Sequence, residues 1–545
     1  MSKTSYLSIL AVLLLLSSCA NYRLNYSPEV ANWQQSTLPT EPPAYQVYLI
    51  GDAGAGTPQW IPPALKALKK SLAAAPKNSA VVFLGDNIYP EGLAPKVEAE
   101  KRALDEAALD LQLNTIEDYT GRVFFVAGNH DWHEYNIPGL RRQSKYLENA
   151  TNGEVEILPK PGCGDPVEVE LTDDITLLLL DSQWWMENWA GENEINDGCE
   201  AKSKADFAFL LQEAMKSNRR KELLVVAHHP LFSYGPHGGN YTFMEHIFPL
   251  RDLHPKLYLP LPVLGSAFRF FQASIGTRQD LANANYKDYR KLLLSQAITT
   301  EEVVFASGHE HSLQYWETEG QYFIVSGAGS QKEGTKTGNG AQFAYGGYGF
   351  SQLNYYEDGQ VWVQYYQCPE GKDKQLVFQK QLKTTSPTTP AEEAQEIVDE
   401  INPTPSVRRI SEVDFSRTKM GEAIWGKHWR DAYASEMEVM DLDLAALNLF
   451  PVKRGGGFQT NSLRLENYDT ERQYTLRSID KDASRTVPYP LNTDLVLDVV
   501  RDNFSASHPL AALAVAPLAD AAGVYHANPQ LVFLPRQKAL GEYND

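Results

Sequence analysis

Five short polar clusters in this 545-residue chain each follow an apolar run: "GDAG" at 51–54, "GDNIY" at 85–89, "GNHD" at 128–131, "VVAH" at 225–228 and "GHEH" at 308–311. Between them they offer Asp52, Asp86, Asn129, His228, His309 and His311. Carboxylates, an amide oxygen and imidazoles suit first-row metal ions; they do not suit calcium or a thiolate zinc site. There are enough donors for two ions if one carboxylate bridges. A "GD" after a strand is ordinarily a turn, and a strand-end histidine is ordinarily a satisfied polar residue. The chemical signal is the joint occurrence of all five clusters in one structural context.

That context is a series of short, β-rich apolar runs: "YQVYLIG" (45–51), "AVVFLGD" (80–86), "RVFFVAG" (122–128), "ITLLLLD" (175–181), "ELLVVAH" (222–228), "EVVFASG" (302–308) and "QYFIVSG" (321–327). Several are apolar throughout, which predicts strands buried on both faces. Helical patterns at 60–75 and 204–220 lie between some of them. Strands alternating with helices predict an α/β fold. In such sheets ligands bind beyond the carboxyl ends of the strands, where these clusters stand. Glycine before the donor lets the backbone turn sharply there.

The ordered set resembles the metallophosphoesterase (calcineurin-like) superfamily, and within it the purple acid phosphatases, whose pattern is GDxG, GDxxY, GNH(D/E), VxxH and GHxH. The resemblance covers about residues 44–367, includes "SGHEHSLQYW", "FIVSGAGS" and "YGGYGFSQL", and is nearest to the small tartrate-resistant branch. It implies a four-layer α/β/β/α sandwich of two mixed sheets. Most of the superfamily carries D-x-H at the first cluster. Here the third position is Gly54, and Tyr89 stands in for the missing ligand. A phenol ionises near pH 10, so it ligates as phenolate only to a strong Lewis acid. The implied assignment is Asp52, Asp86, Tyr89 and His311 on Fe(III), with Asp86, Asn129, His228 and His309 on a divalent Fe, Zn or Mn ion. His130 would face the substrate. His237, nine residues after His228, matches a histidine that protonates the leaving group. Asp131 is expected to orient His130, while His133, His229, His246 and His254 are read as structural or surface residues.

The activity so implied is hydrolysis of phosphate monoesters, by attack of a metal-bound hydroxide on a phosphoryl group clamped between two cations. A phosphodiesterase or nucleotide hydrolase is the enzymatic alternative. An envelope-assembly or binding protein using the domain as a scaffold is the non-enzymatic one.

Bulk features fit an envelope protein. "LSILAVLLLLSS" after Lys3 is too short for a comfortable span and leads into "LSSCA", which resembles a lipoprotein signal cleaved before a lipidated Cys19. Outer-membrane sorting is the expectation. The formal charge of −20 argues against nucleic acid as a partner; a small phosphorylated substrate is expected instead. Cys163 and Cys199 are candidates for one disulfide in an oxidising compartment, and Cys368 for a buried thiol. The expected organisation is a signal at 1–18, a tether at 19–43 and a catalytic domain at 44–382. A linker follows at 383–406, then an accessory β-rich or α+β segment at 407–545 containing a hairpin in "SLRLENYDTERQYTLRSID". The catalytic domain carries an insertion at about 240–298. Its apolar stretch at 257–276 is expected to be either a packed subdomain or an interfacial element, since two prolines and Arg269 argue against a span.

Overall fold

The computed structural model describes residues 20–187, 198–218, 221–252, 254, 256–297, 300, 302–318, 320–338, 340–384, 399–402, 404–455, 460–467, 469–470, 472–481 and 494–543. The signal, Cys19 and residues 385–398 of the linker lie outside them. Two compact units divide the chain, residues 1–387 and 388–545.

The first unit runs β1 (Leu24–Tyr26), β2 (Tyr45–Ile50), α1 (Pro63–Leu72), β3 (Ser79–Phe83), α2 (Ala99–Ile116), β4 (Arg122–Phe125), α3 (Asn136–Ala150), β5 (Val167–Glu170), β6 (Ile175–Leu179), α4 (Lys204–Ser217), β7 (Glu222–Val226), α5 (Pro262–Ile275), α6 (Ala284–Ala297) and β8 (Val304–Ser307). It closes with β9 (Leu313–Thr318), β10 (Gln321–Ser326), β11 (Ala341–Tyr345), β12 (Gly349–Tyr355), β13 (Val361–Gln367) and β14 (Gln375–Lys383). One-turn helices at Asn129–Trp132 and Phe243–Ile247 lie between them. Two mixed sheets result, ordered β14-β13-β12-β2-β3-β4 and β1-β11-β9-β10-β8-β7-β6-β5. β2, β3 and β4 are parallel, as are β6, β7, β8 and β10. Their carboxyl ends therefore gather the donor loops at one edge of each sheet.

Alternate residues of both sheets share one core. Val47, Leu49 and Val82 of the first sheet pack in the same cluster as Leu177, Leu224 and Ile324 of the second. Phe343 of β11 stacks on Phe378 of β14, ring centres 4.8 Å apart. The opposite faces are also covered: Tyr48, Val81 and Phe83 are buried. Double burial explains the absence of polar alternation in these strands. A buried ion pair, Lys383 Nζ to Glu222 Oε2 at 2.5 Å, ties β14 to β7. Cys163 and Cys199 are joined as a disulfide, and Cys368 is buried.

The polar tether expected over 19–43 is corrected from Ala20 onward. Leu24–Tyr26 pairs antiparallel with Phe343–Tyr345. The Tyr26 hydroxyl donates to the Val377 carbonyl at 2.7 Å, and Trp33 packs on the shared core. A three-residue edge strand amid polar neighbours has too short a period to show in sequence.

The insertion is helical. α6 buries Tyr286, Tyr289 and Leu293, while α5 buries only Gly265 and Arg269. The second unit is α+β, with sheets β15 (Ser406–Arg409)-β16 (Glu436–Asp441)-β20 (Val532–Phe533) and β17 (Leu449–Gly455)-β18 (Thr460–Asn467)-β19 (Gln473–Lys481). The expected hairpin is β18–β19. Arg430 holds Asp502 through its two terminal guanidinium nitrogens, at 2.6 and 2.8 Å. No helix among the described residues is long and apolar enough to cross a membrane.

Candidate metal centre

The loops after β2, β3 and β8 turn so tightly that three donors adopt the left-handed conformation: Asp52 (φ 56°), Asp86 (φ 54°) and His309 (φ 69°). Such backbone costs about 1–3 kcal/mol per residue and persists only where the surroundings over-determine it. Gly85 (φ 93°) shows why the loops need glycine, because a Cβ there would lie 2.6 Å from His228 Nδ1 and 2.8 Å from the Gly128 nitrogen. Gly54 is equally constrained. A Cβ would come within 2.4 Å of the Asn87 backbone, so no histidine can occupy this position without moving the loop that carries Tyr89.

Asp131 locks the loop after β3 to the loop after β4. Its carboxylate accepts from Asn87 N (3.0 Å), Gly128 N (2.8 Å) and Gln143 Nε2 (3.0 Å). The expectation that it orients His130 is thereby corrected. Consecutive residues on a helical turn point apart, and Asp131 faces inward. His130 is held instead by its Nδ1–H donating to the Pro90 carbonyl at 2.6 Å.

One donor cage centres on Tyr89. Its hydroxyl oxygen lies 2.9 Å from Asp52 Oδ1, 2.9 Å from Asp86 Oδ2 and 3.1 Å from His311 Nε2. Donors at right angles on a small ion, 2.0–2.1 Å from it, stand about 2.9 Å apart. One phenolic proton cannot satisfy both carboxylates. Burial, then Asp52 and Asp86, hold the phenol well above its ordinary range, so only a cation would draw the proton off.

The second cage holds Asn129 Oδ1 at 3.0 Å from His228 Nε2 and 2.9 Å from His309 Nδ1, with the two ring nitrogens 3.3 Å apart. His228 Nδ1–H donates to the Leu84 carbonyl (2.8 Å) and His309 Nε2–H to the Gln279 carbonyl (2.9 Å). These outer bonds fix which nitrogen faces inward. Burial, followed by the neighbouring His237, keeps His309 well below its ordinary range and neutral. Its bare Nδ1 then opposes the bare Asn129 oxygen, an arrangement that a cation between them would reconcile. Asp86 joins the cages, with Oδ2 toward Tyr89 and Oδ1 3.4 Å from His228 Nε2.

The field is strongly anionic. Burial opposes charge on His228 and His311, but Asp86 lifts His228 to about 9 and Glu333 lifts His311 to about 10. Burial, joined by the Asp86 charge and opposed by His228 and His311, pushes Asp52 up to about 7. Asp86 is also buried, yet His228 and His130 hold it below the carboxylate range. The donors thus demand positive charge at both positions, and the donor set fits two metal ions.

All seven ligands expected from the sequence meet here. His130 borders the first cage, its ring 4.5 Å from that of Tyr89. His237 borders the second, stacked on His309 at 4.0 Å. Four residues that sequence reasoning missed complete the site. Asp280 accepts from His237 Nδ1–H at 2.7 Å, and Glu333 from His311 Nδ1–H at 3.0 Å. Gln279 holds His309 by its carbonyl and His229 by its side-chain oxygen (2.6 Å). Glu310, inside "GHEH", accepts from Ser233 and from Gly238 N at 3.1 Å, positioning the His237 loop. Of the remaining histidines, His229 is buried, His246 half-buried, and His133 and His254 exposed. A cleft of about 490 Å³ opens on the first cage, lined by Gly54, Tyr89, His130 and His311 among others.

Residues 45–259 match the family model for calcineurin-like phosphoesterases, a span that includes Asp52, Asp86, Tyr89, Asn129 and His228. Among solved structures the chain is similar to GAP50, the anchor in the inner membrane complex of Plasmodium. Identity there is 15%, covering 63% of this chain and 90% of that one, with a TM-score of 0.38. It is also similar to purple acid phosphatase PPD1 from yellow lupin (Lupinus luteus) seeds, with 14% identity, 64% and 55% coverage and a TM-score of 0.38. A protein of unknown function from Aquifex aeolicus, AQ665, shares 14% identity over 34% of this chain and 78% of that one, with a TM-score of 0.18. No curated protein sequence matches the chain.

Proposed function

We propose, from the premise that residues 45–259 form a calcineurin-like phosphoesterase domain, that this metal-dependent phosphoester hydrolase is an envelope-anchored phosphomonoesterase. The observation that carries the proposal is Asp86, whose two oxygens face two separate donor cages. Asp52, Asp86 and a Tyr89 phenolate would bring three negative charges to one cage, which favours Fe(III) there. The Asn129 amide and the imidazoles of His228 and His309, which ligate in their neutral forms, would favour a divalent Fe, Zn or Mn ion in the other. Bound there, the two ions would polarise a phosphoryl group and acidify a water.

The chain's own residues do the remaining work. Gly54 leaves the cleft floor open beside Tyr89. His130, fixed by the Pro90 carbonyl, presents Nε2 toward the cleft for phosphate. His237, with Nδ1–H held by Asp280, keeps Nε2 for the departing oxygen. Burial opposes its charge, but Asp280 and Glu310 lift it to about 9, so it holds a proton at neutral pH. The cleft suits a small phosphorylated substrate. The envelope reading rests on the apolar run before "LSSCA", with lipidation at Cys19 and outer-membrane sorting, and the Cys163–Cys199 disulfide favours an oxidising compartment.

The discriminating assay compares an alkyl phosphate monoester with a phosphodiester at equal concentration on metal-loaded protein. Higher kcat/KM for the monoester is expected. Preference for the diester would transfer the reading to a phosphodiesterase or nucleotide hydrolase, and hydrolysis of neither would support a scaffold role.

A further inference from the structure

An ordinary surface helix turns its apolar residues inward and its polar ones to water. α5 does the reverse. Its inward residues are Gly265 and Arg269, four apart, with Gln272 half-buried on the next turn. Gly265 lies so close to the helix Phe243–Ile247 that a Cβ would sit 2.1 Å from the His246 carbonyl. The Arg269 guanidinium covers the Tyr241 ring at 4.7 Å and donates to Gln272 at 2.7 Å. The outward residues are Val263, Leu264, Phe268, Phe270, Phe271 and Ile275, with Val263 80% and Phe270 75% exposed. Arg269 is the helix's only charged residue, so its outer face carries none. Leu257, Tyr258 and Leu259 extend the face before the helix, and Phe243 and Met244 extend it alongside.

A second observation says what covers it. The described chain enters the fold at the foot of this face. Ala20 N–H donates to the Tyr241 carbonyl at 3.2 Å, and Ala20 pairs with Thr242, the residue before Phe243. Immediately upstream in sequence stands the apolar run "LSILAVLLLLSS" and then Cys19. The one entry point for a membrane-seeking segment thus adjoins the one described helix that turns aromatic and aliphatic residues outward without charge. At 1.5 Å per residue, the 14 residues of α5 span about 21 Å. That is too short to cross a bilayer and suited to lying in its surface plane.

We infer that α5 and its flanking residues form a membrane-docking face that seats in the outer acyl region of a lipid bilayer. The inference goes beyond the hydrolase reading and does not depend on it. α5 leads through Gly276 directly into Gln279 and Asp280, so the docked element is continuous with the loop that holds His237 and His309.

The test places a polarity-sensitive fluorophore at Phe270→Cys in the full chain. Val97→Cys, at a position 91% exposed and apart from this face, is the control. Cys368 is buried and Cys163 and Cys199 are paired, and the parent chain carried through labelling supplies the background from any other thiol. On adding phosphatidylethanolamine–phosphatidylglycerol vesicles, the position-270 emission should shift to the blue and be quenched by spin-labelled acyl chains, while position 97 does neither. A position-270 probe that stays in water with vesicles present overturns the inference, whether or not the chain is attached by Cys19. A probe already shielded without vesicles, with doubled mass in solution, overturns it in favour of a second copy of the chain. Failure of Cys19 lipidation is read separately, from the mass of the N-terminal peptide.

Discussion

Asp86→Ala is expected to leave purified protein without a full complement at either metal position and without measurable hydrolysis. Each cage has only four protein donors, and Asp86 belongs to both. Losing an outer-shell partner of a metal ligand ordinarily costs about 10–100-fold in affinity or activity, and removing a shared inner ligand should exceed that at both positions. Asn129→Ala, by contrast, removes a donor from the second cage alone and should deplete one equivalent selectively. Asp86 sits at φ 54° and its Oδ1 accepts the His130 N–H at 2.9 Å. Asp86→Asn tolerates that backbone and keeps that acceptor, so it separates lost charge from lost fold. Plasma mass spectrometry of the purified variants reads the outcome. Two retained metal equivalents in both Asp86 variants, with the circular dichroism of the parent, would show that the bridge is wrongly placed.

His237→Ala should slow hydrolysis of alkyl phosphates by about 10²–10⁴-fold, the range for loss of a general acid. A nitrophenyl phosphate, whose phenolate leaves unaided, should lose far less. Metal content should stay at the parent value, because His237 stacks on His309 but is not a proposed ligand. Asp280→Asn refines the point. Asp280 raises the pKa of His237, so removing its charge lowers that pKa. The alkaline limb of the alkyl phosphate profile should then move to lower pH, while the nitrophenyl profile stays. Equal losses on both substrates would instead make His237 a phosphate-positioning residue, and no loss on either would leave His130 as the remaining acid.

The seven proposed ligands were legible because five glycine- or histidine-bearing clusters follow apolar strands in one order, a coincidence that no single cluster would signal. Parallel strands bring such ends together, so residues as far apart as Asp52 and His311 meet without any local signal linking them. Outer partners leave no such trace. Asp280 and Gln279 lie in the insertion beyond an apolar helix, and Glu333 in a loop between Lys332 and Lys336. Nothing in their spacing connects them to histidines 22 to 50 residues away. Asp131 misled for a related reason: adjacency to His130 in sequence says nothing about direction on a helical turn. The strand at Leu24–Tyr26 was hidden by its length, since an edge strand of three residues shows one alternation. The outward face of α5 was visible as composition, but only packing reveals that Arg269 turns inward and leaves that face without charge.

The central claim is a dinuclear centre with Tyr89 as a phenolate ligand to Fe(III). The most direct measurement is the visible spectrum, taken with metal content, of the aerobically purified chain and of Tyr89→Phe. The phenylalanine variant keeps the ring packed against His130 and removes only the oxygen. Two metal equivalents, at least one of them iron, and a visible phenolate-to-iron band that vanishes in Tyr89→Phe are the predicted result. A colourless parent chain that is fully active with two zinc or two manganese ions would contradict it.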